Sequence, residues 1–422
     1  MSDISNISNN YAISFELVIK NSVIDLSSNI NSIKIIHSIE DIQPIFLINM
    51  NTRILQNFNS NYKYAKLTIN SNLINTSSIN QNTYFLLPYS LATKTYSTNM
   101  KNDDMFDNST VNLTFISKNC YNCLNTSINT YISHNTNITN VLNDIKPNNT
   151  NLLLSKNINT SNIDQICIPK QSYLGALNHI LHLFSLYPGA TIFTSYPDST
   201  NESLNTNIYI KDINKEMKSN NYDFTVIQVL AGQNDYHNDI SQQFTKSNKP
   251  TIVTNQNIIY NSNSAANMTT NNYNVLVKPL DQLYNVHNYT KNELINNYGV
   301  VDGNMNSDED NYSELLNNTH QIVNKHSGGY NNSFDWFTSN ITKELANMNS
   351  ISISVNQKQY LGQLWAGQIF NLDISDVEAV KFSGKFLLSR IEYILNCDNP
   401  LSYNMFINLI GVRSNLFVRN NN

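Results

Sequence analysis

The stretch FSGKFLLSRIEYILN, Phe382 to Asn396, limits what this chain can become more than any other. Strict alternation puts Leu387, Ile391, Tyr393 and Leu395 on one face and Leu388, Arg390, Glu392 and Ile394 on the other, the period of a β-strand. The turn CDNPLS (Cys397 to Ser402) follows, and YNMFINLIGV then alternates again, with Tyr403, Met405, Ile407 and Leu409 sharing a face. A long, two-faced hairpin therefore lies close to the end of the sequence.

Strand patterning also dominates the beginning. ISFELVIK, SIKIIHSIED, IFLINMNTRILQ and YAKLTIN alternate and are separated by Asn/Ser turn signals, and NTYFLLPYSLATKTY and STVNLTFIS add two more strands. Residues 1–116 are expected to form an antiparallel barrel or sandwich. The pattern changes after residue 117. In ISHNTNITNVLNDIKP, Ile138, Val141, Leu142 and Ile145 fall at helical spacing before Pro147. In IPKQSYLGALNHILHLFSLYPG, Ser172 is placed to cap a helix whose Leu174, Leu177, Ile180, Leu181 and Phe184 repeat at three and four. The strands ATIFTSY and NIYIKDI follow, so 117–212 reads as an inserted α/β domain.

Beyond it, FTVIQVLAG is the clearest strand before a polar span. A helix over Phe334 to Asn347, with Ser333 as cap, leads into ISISVNQKQY, LGQLWAGQIFNLDI and the closing hairpin. Residues 213–235 and 346–418 are expected to make a second β unit, interrupted by a polar insertion over 236–345. The fold class expected is mainly β with α/β insertions.

At 422 residues the chain exceeds one ordinary core. It is 40% hydrophobic and only 14% charged, against the usual quarter, with Asn, Ser and Thr in place of charges. That balance does not carry the signature of a disordered chain. Formal net charge is −5, and there are four arginines, Arg53, Arg390, Arg413 and Arg419. No window supplies the basic patch that counterion-releasing nucleic-acid binding needs, which argues against dedicated or sequence-specific nucleic-acid binding. The N-terminus has neither a basic n-region nor an apolar h-region, and no apolar run approaches eighteen residues. A soluble chain without a membrane anchor, made in a cytoplasm, is expected.

The chemistry-bearing candidates each have a plain alternative. Cys120 and Cys123 have C-x-x-C spacing, but a redox pair needs a strand-to-helix turn and a zinc site needs a second ligand pair. The flanks TFISKNCYNCLNTSI read as a strand running into a loop, so two free thiols are expected. With Cys167 and Cys397 the chain has four cysteines, which is no disulfide framework at this length. His179 and His182, three apart, could share a helix face, yet no third ligand follows. Asp302, Asn304, Asn306 and Asp308 match the 1, 3, 5, 7 oxygens of a calcium loop. Position six is Ser307 where Gly is needed and position twelve is Ser313 where Glu is needed, so a solvated acidic loop is favoured. No nucleophile elbow, phosphate loop, zinc-protease motif or dinucleotide fingerprint is present. No catalytic, cofactor-binding or metal-binding residue is assigned, no cofactor is implied, and an enzyme is not expected.

The order of these parts resembles the central baseplate hub protein of contractile-tailed phages of the T-even type and, more distantly, the hub half of type VI secretion spike proteins. The likeness runs through the long helix YLGALNHILHLFSLYPG, the strands ATIFTSY and NIYIKDI, the helix 334–347, AGQIFNLDI and the hairpin. It implies two tail-tube-like β-barrels per chain and a strand ending just after Gly367. It also implies a homotrimer that adapts a threefold central spike protein to a sixfold tail tube protein. Further expected partners are the tape measure and baseplate wedge proteins, in a virion tail baseplate assembled in the host cytoplasm. Each subunit's edge strands would be completed by the next, and a mildly acidic channel would not trap passing DNA. Two other readings are a receptor-binding adhesin and a tail-associated wall hydrolase. The hydrolase would have to pair Cys120 or Cys123 with His134 or His179.

Overall fold

The computed structural model describes residues 11–413 apart from 52–61, 72–80, 96–109, 198–204, 229–248, 263–271, 291–318, 325–348, 375–381 and a few shorter stretches. The acidic loop 302–311 and the helix expected over 334–347 lie outside the described residues, as do the side chains of His182 and Cys397 and all of His134.

Seven strands open the chain: β1 (Tyr11–Ile19), β2 (Ser22–Asp25), β3 (Ile30–Ser38), β4 (Ile45–Asn51), β5 (Tyr62–Ser71), β6 (Gln81–Thr95) and β7 (Thr110–Ser117). They pair antiparallel in the order β3-β4-β7-β6-β5-β1-β2. Alternation sorts their faces. In β4, Phe46, Ile48 and Met50 enter the core while Ile45, Leu47, Asn49 and Asn51 face outward.

The α/β segment follows as α1 (Lys118–Asn125), β8 (Ser127–Ile132), β9 (Thr136–Asn137), α2 (Ile138–Ile145), β10 (Thr150–Leu154), β11 (Asn162–Ile163), β12 (Ile166–Ser172), α3 (Tyr173–Leu183), β13 (Thr191–Ser195), β14 (Thr206–Asp212) and α4 (Ile213–Lys218). The Asn137 carboxamide caps α2 by accepting from the Asn140 N–H at 2.9 Å, and Ser172 Oγ accepts from the Gly175 N–H at 3.1 Å at the start of α3. Both helices turn their apolar stripes inward, onto a core of their own. Ile138, Val141, Leu142 and Ile145 meet Ala176, Leu177 and Ile180 there, together with Ile208 and Ile210 of β14. Three strands, β10-β14-β13, form the mixed sheet behind them.

The remainder is β15 (Phe224–Gln228), β16 (Thr251–Thr254), β17 (Ile259–Ser262), β18 (Asn272–Lys278), β19 (Asn285–Thr290), β20 (Thr319–Asn324), β21 (Asn349–Asn356), β22 (Ile369–Ile374), β23 (Gly384–Asn399) and β24 (Ser402–Arg413). Strands β18, β19 and β20 make a small separate sheet. The others join the opening strands in one fourteen-stranded sheet, because β23 pairs with β3. The protein is mainly β, with an α/β insertion. A single apolar core runs from Phe15, Phe46 and Tyr84 to Phe386, Tyr393 and Leu409.

Strand β23 departs from the strict alternation read in the sequence. Its first half, Gly384 to Leu387, pairs with β22, and its second half, Arg390 to Asn396, pairs with β3 on the same edge. The register against β24 shifts between Leu388 and Arg390, which marks a bulge at Ser389. One extra residue flips the side-chain parity. Phe386 and Leu388 therefore share the main core with Ile391, Tyr393 and Leu395. Leu387, expected beside Ile391, points the other way instead. It packs with Ile192, Ile213, Met217, Ile369 and Val412 in a satellite core beneath α4. This end of the hairpin is buried on both faces. Gly411 fits the crowding: a Cβ there would stand 2.6 Å from Cζ of Phe370, whose ring stacks between Phe224 and Phe386.

Candidate functional site

The candidate residues are dispersed. Cys120 and Cys123 lie on α1, directly after β7, where a loop was expected; this is the strand-to-helix context that a redox pair would need. The environment is nonetheless wrong for a reactive thiol. Both are buried. Burial pushes Cys120 up to about 12, against a hydrogen bond with Ser195 Oγ at 3.4 Å. Burial likewise raises Cys123, whose Sγ lies 3.8 Å from Thr150 Oγ1. A nucleophilic or metal-binding cysteine needs the opposite shift. His179 is half-buried, and its ring nitrogen Nε2 lies 3.2 Å from the Cys167 carbonyl. Among the described residues no cluster of three His, Cys, Asp or Glu side chains is placed to hold a metal ion.

What the structure does bring together is a set of joints around the segment Leu364–Gly367. Trp365 enters the main core edge-on to Tyr84, at 6.4 Å between centroids, and to Tyr393 at 6.0 Å. Tyr393 Oη donates to the Leu364 carbonyl at 2.9 Å. The Ala366 N–H donates to His37 Nδ1 at 3.2 Å, and Thr194 Oγ1 donates to the Ala366 carbonyl at 3.1 Å. Gly367 has φ +87° and stands just before β22, not at the end of a strand as the resemblance implied. Its N–H donates to the Leu388 carbonyl, and its own carbonyl accepts from Lys211 Nζ at 3.1 Å. Lys211 also reaches Tyr196 Oη at 3.1 Å. Burial lowers its pKa, while Asp223 and Glu216 pull it back up. Four residues thus touch β3, β6, β13, β14 and β23. In the sequence Leu364, Trp365 and Ala366 carry no mark of these contacts, because a single turn has no periodicity.

The outer face of the sheet is the second feature. Where β23 meets β3, Glu392 receives Lys34 at 3.0 Å and Arg390 at 2.5 Å. Burial alone would raise Glu392, but hydrogen bonds from Lys34 and Arg390 outweigh it and hold the carboxylate below its usual range. Beyond them the face is amide-rich. Asn31 Nδ2 donates to Asn49 Oδ1 at 2.9 Å and to Asn51 Oδ1 at 3.2 Å, and Asn49 Nδ2 donates to Asn112 Oδ1 at 2.6 Å, which links β3, β4 and β7. On β21 and β24 Ser354 donates to Asn408 at 2.8 Å.

No protein-family model matches the chain, and no curated protein sequence matches it. Solved structures do, and they give the chain the fold of phage tail proteins. A tail protein of Neisseria meningitidis superposes with a TM-score of 0.54 at 10% identity, over 97% of this chain and 98% of that one. The 43 kDa tail protein of a Shewanella oneidensis prophage gives 0.54 at 10% identity, over 96% and 98%. The Francisella PdpA–VgrG complex contains a chain matching at 0.51 and 10% identity, over 98% of this chain and 59% of that one. The likeness to phage baseplate and type VI spike proteins read from the order of elements is thus matched in three dimensions. No helix among the described residues is long and apolar enough to cross a membrane.

Proposed function

We propose that the chain is the trimeric hub of a phage tail baseplate, a structural virion protein without catalysis. It would adapt a threefold central spike to a sixfold tail tube around a DNA-conducting channel. One observation carries this reading: the unbroken antiparallel run β17-β21-β24-β23-β3-β4-β7-β6, drawn from both ends of the chain. Two β units joined edge to edge through β3 and β23 supply two similar domains per subunit, so three subunits supply six.

Strand polarity supports closure of that ring. Eight alternating strands leave the terminal strands, β17 and β6, running in opposite directions. A copy rotated about an axis along the strands then meets its neighbour antiparallel, as the rest of the sheet does. Strand β6 pairs with β5 only up to Leu86, so among the described residues its later edge has no strand beside it, and neither does the outer edge of β17. Each edge presents a large exposed apolar side chain, Tyr89 at 53% and Ile259 at 59%. Such edges call for a partner. The amide-rich outer face would then line the channel, with its cations held by Glu392 and kept from gripping DNA phosphates. The tail tube, tape measure and baseplate wedge proteins would be the remaining neighbours.

The test is the solution mass of the chain, alone and with the spike protein of the same genome. Three copies of 48.1 kDa, about 144 kDa, support the reading. Ile259→Lys should return the trimer to monomer. A hexamer, an open filament, or a monomer that stays monomeric with its spike overturns it.

A further inference from the structure

We propose that His37 is a neutral-only latch: uncharged, it ties the α/β insertion to the β frame, and its protonation opens that joint before any strand ladder separates. The argument is one of hydrogen count. The Ala366 N–H donates to Nδ1, so the ring hydrogen sits on Nε2, which lies 3.4 Å from Thr194 Oγ1. The Thr194 hydroxyl in turn gives its own hydrogen to the Ala366 carbonyl. The cycle joins residues 37, 194 and 366 with one hydrogen per link. A second ring hydrogen on Nδ1 would face the Ala366 N–H, two donors with no acceptor between them, at a fully buried site.

The neighbours offer a cation little. Just past β13 the ring of Tyr196 stands edge-on at 6.2 Å, and on the 364–367 turn Trp365 does so at 5.8 Å. Tyr84 of β6 and Tyr393 of β23 pack behind Trp365. On β14, Lys211 already brings positive charge to Tyr196 and Gly367. Asp223 and Glu216 act on Tyr196 and Lys211, and Asp223 is also engaged with the Ile369 N–H. Burial pushes His37 down to about 3, with the Ile42 carbonyl pulling the other way.

The sign follows. An opened joint frees a histidine of ordinary value, 6.5, which takes up a proton that the closed joint refuses until about pH 3. The closed form is fully favoured above 6.5 and loses ground as pH falls through that window. Between pH 7 and pH 5 the opening equilibrium should rise about 25-fold.

The experiment is hydrogen exchange on the full chain from pH 8 to pH 4.5, corrected for intrinsic rates. Peptides spanning 191–196 and 364–367 should lose protection by about that factor. Those spanning 391–395 should keep theirs. In His37→Gln, which offers an acceptor and a donor but does not titrate, the loss should vanish. Unchanged protection in the wild-type chain between pH 7 and pH 5 overturns the latch, and that measurement needs no variant. Equal loss in the 391–395 ladder, or the same pH dependence in a folded His37→Gln, also overturns it.

Discussion

Two seams hold this molecule together, and they are built differently. Along the first, β3 lies against the second half of β23 for seven residues, with Ile33, Ile35, Ile391, Tyr393 and Leu395 turned into one core. Along the second, β13 and β14 meet the 364–367 turn through His37, Thr194 and Lys211, and Ile192 sits over Gly367. The first seam is repetitive and its inner face is apolar, so its strength is shared among many contacts, and its ion pairs at Glu392 lie on the outer face. The second depends on a few buried polar groups, each of which must be matched. A ladder tolerates small losses; a polar joint changes state when one proton is added.

The comparison can be broken most severely at the first seam. Tyr393→Ala removes a fully buried ring and its bond to Leu364, and should cost about 3–5 kcal/mol in equilibrium unfolding. The second seam should respond less to a backbone change. Gly367→Ala forces a side chain onto a residue at φ +87°, with its Cβ 2.9 Å from Ile192 Cδ1, for about 1–2 kcal/mol. Its effect should be concentrated in exchange from β13, with the 391–395 ladder little changed. The smallest effect belongs to the outer face. Glu392→Gln loses an ion pair whose cations are both more than a third exposed, about 0.5–1 kcal/mol in dilute buffer and less at high salt. A salt-independent loss of several kcal/mol would mean that this face holds the first seam together.

The two seams also differ in how far the sequence announces them. Period-two runs made the strands of the first seam readable, and helical spacing did the same for Ile138, Val141, Leu142 and Ile145 and for the Ser172 cap. The cores those residues build follow from that spacing alone. Helix α1 was missed because KNCYNCLN carries no apolar stripe beyond its two cysteines, which sit three apart and are both buried. His37 looked like one more residue of an alternating strand, since nothing local marks contacts to residues 194 and 366. Gly367 was noticed but set at the wrong end of a strand. Its left-handed backbone starts β22, and pattern does not tell a start from an end. The bulge at Ser389 escaped because a single inserted residue leaves composition untouched.

That bulge makes β23 work like a message read in two frames. Upstream of Ser389 the even-numbered side chains belong to the core; downstream the odd-numbered ones do. Without Ser389 the strand would alternate cleanly and keep Arg390 and Glu392 outward and Ile391 and Tyr393 inward; alternation straight through Ser389, with no bulge, would instead turn Arg390 and Glu392 into the core. The bulge therefore lets the strand carry one residue too many without exchanging its two faces.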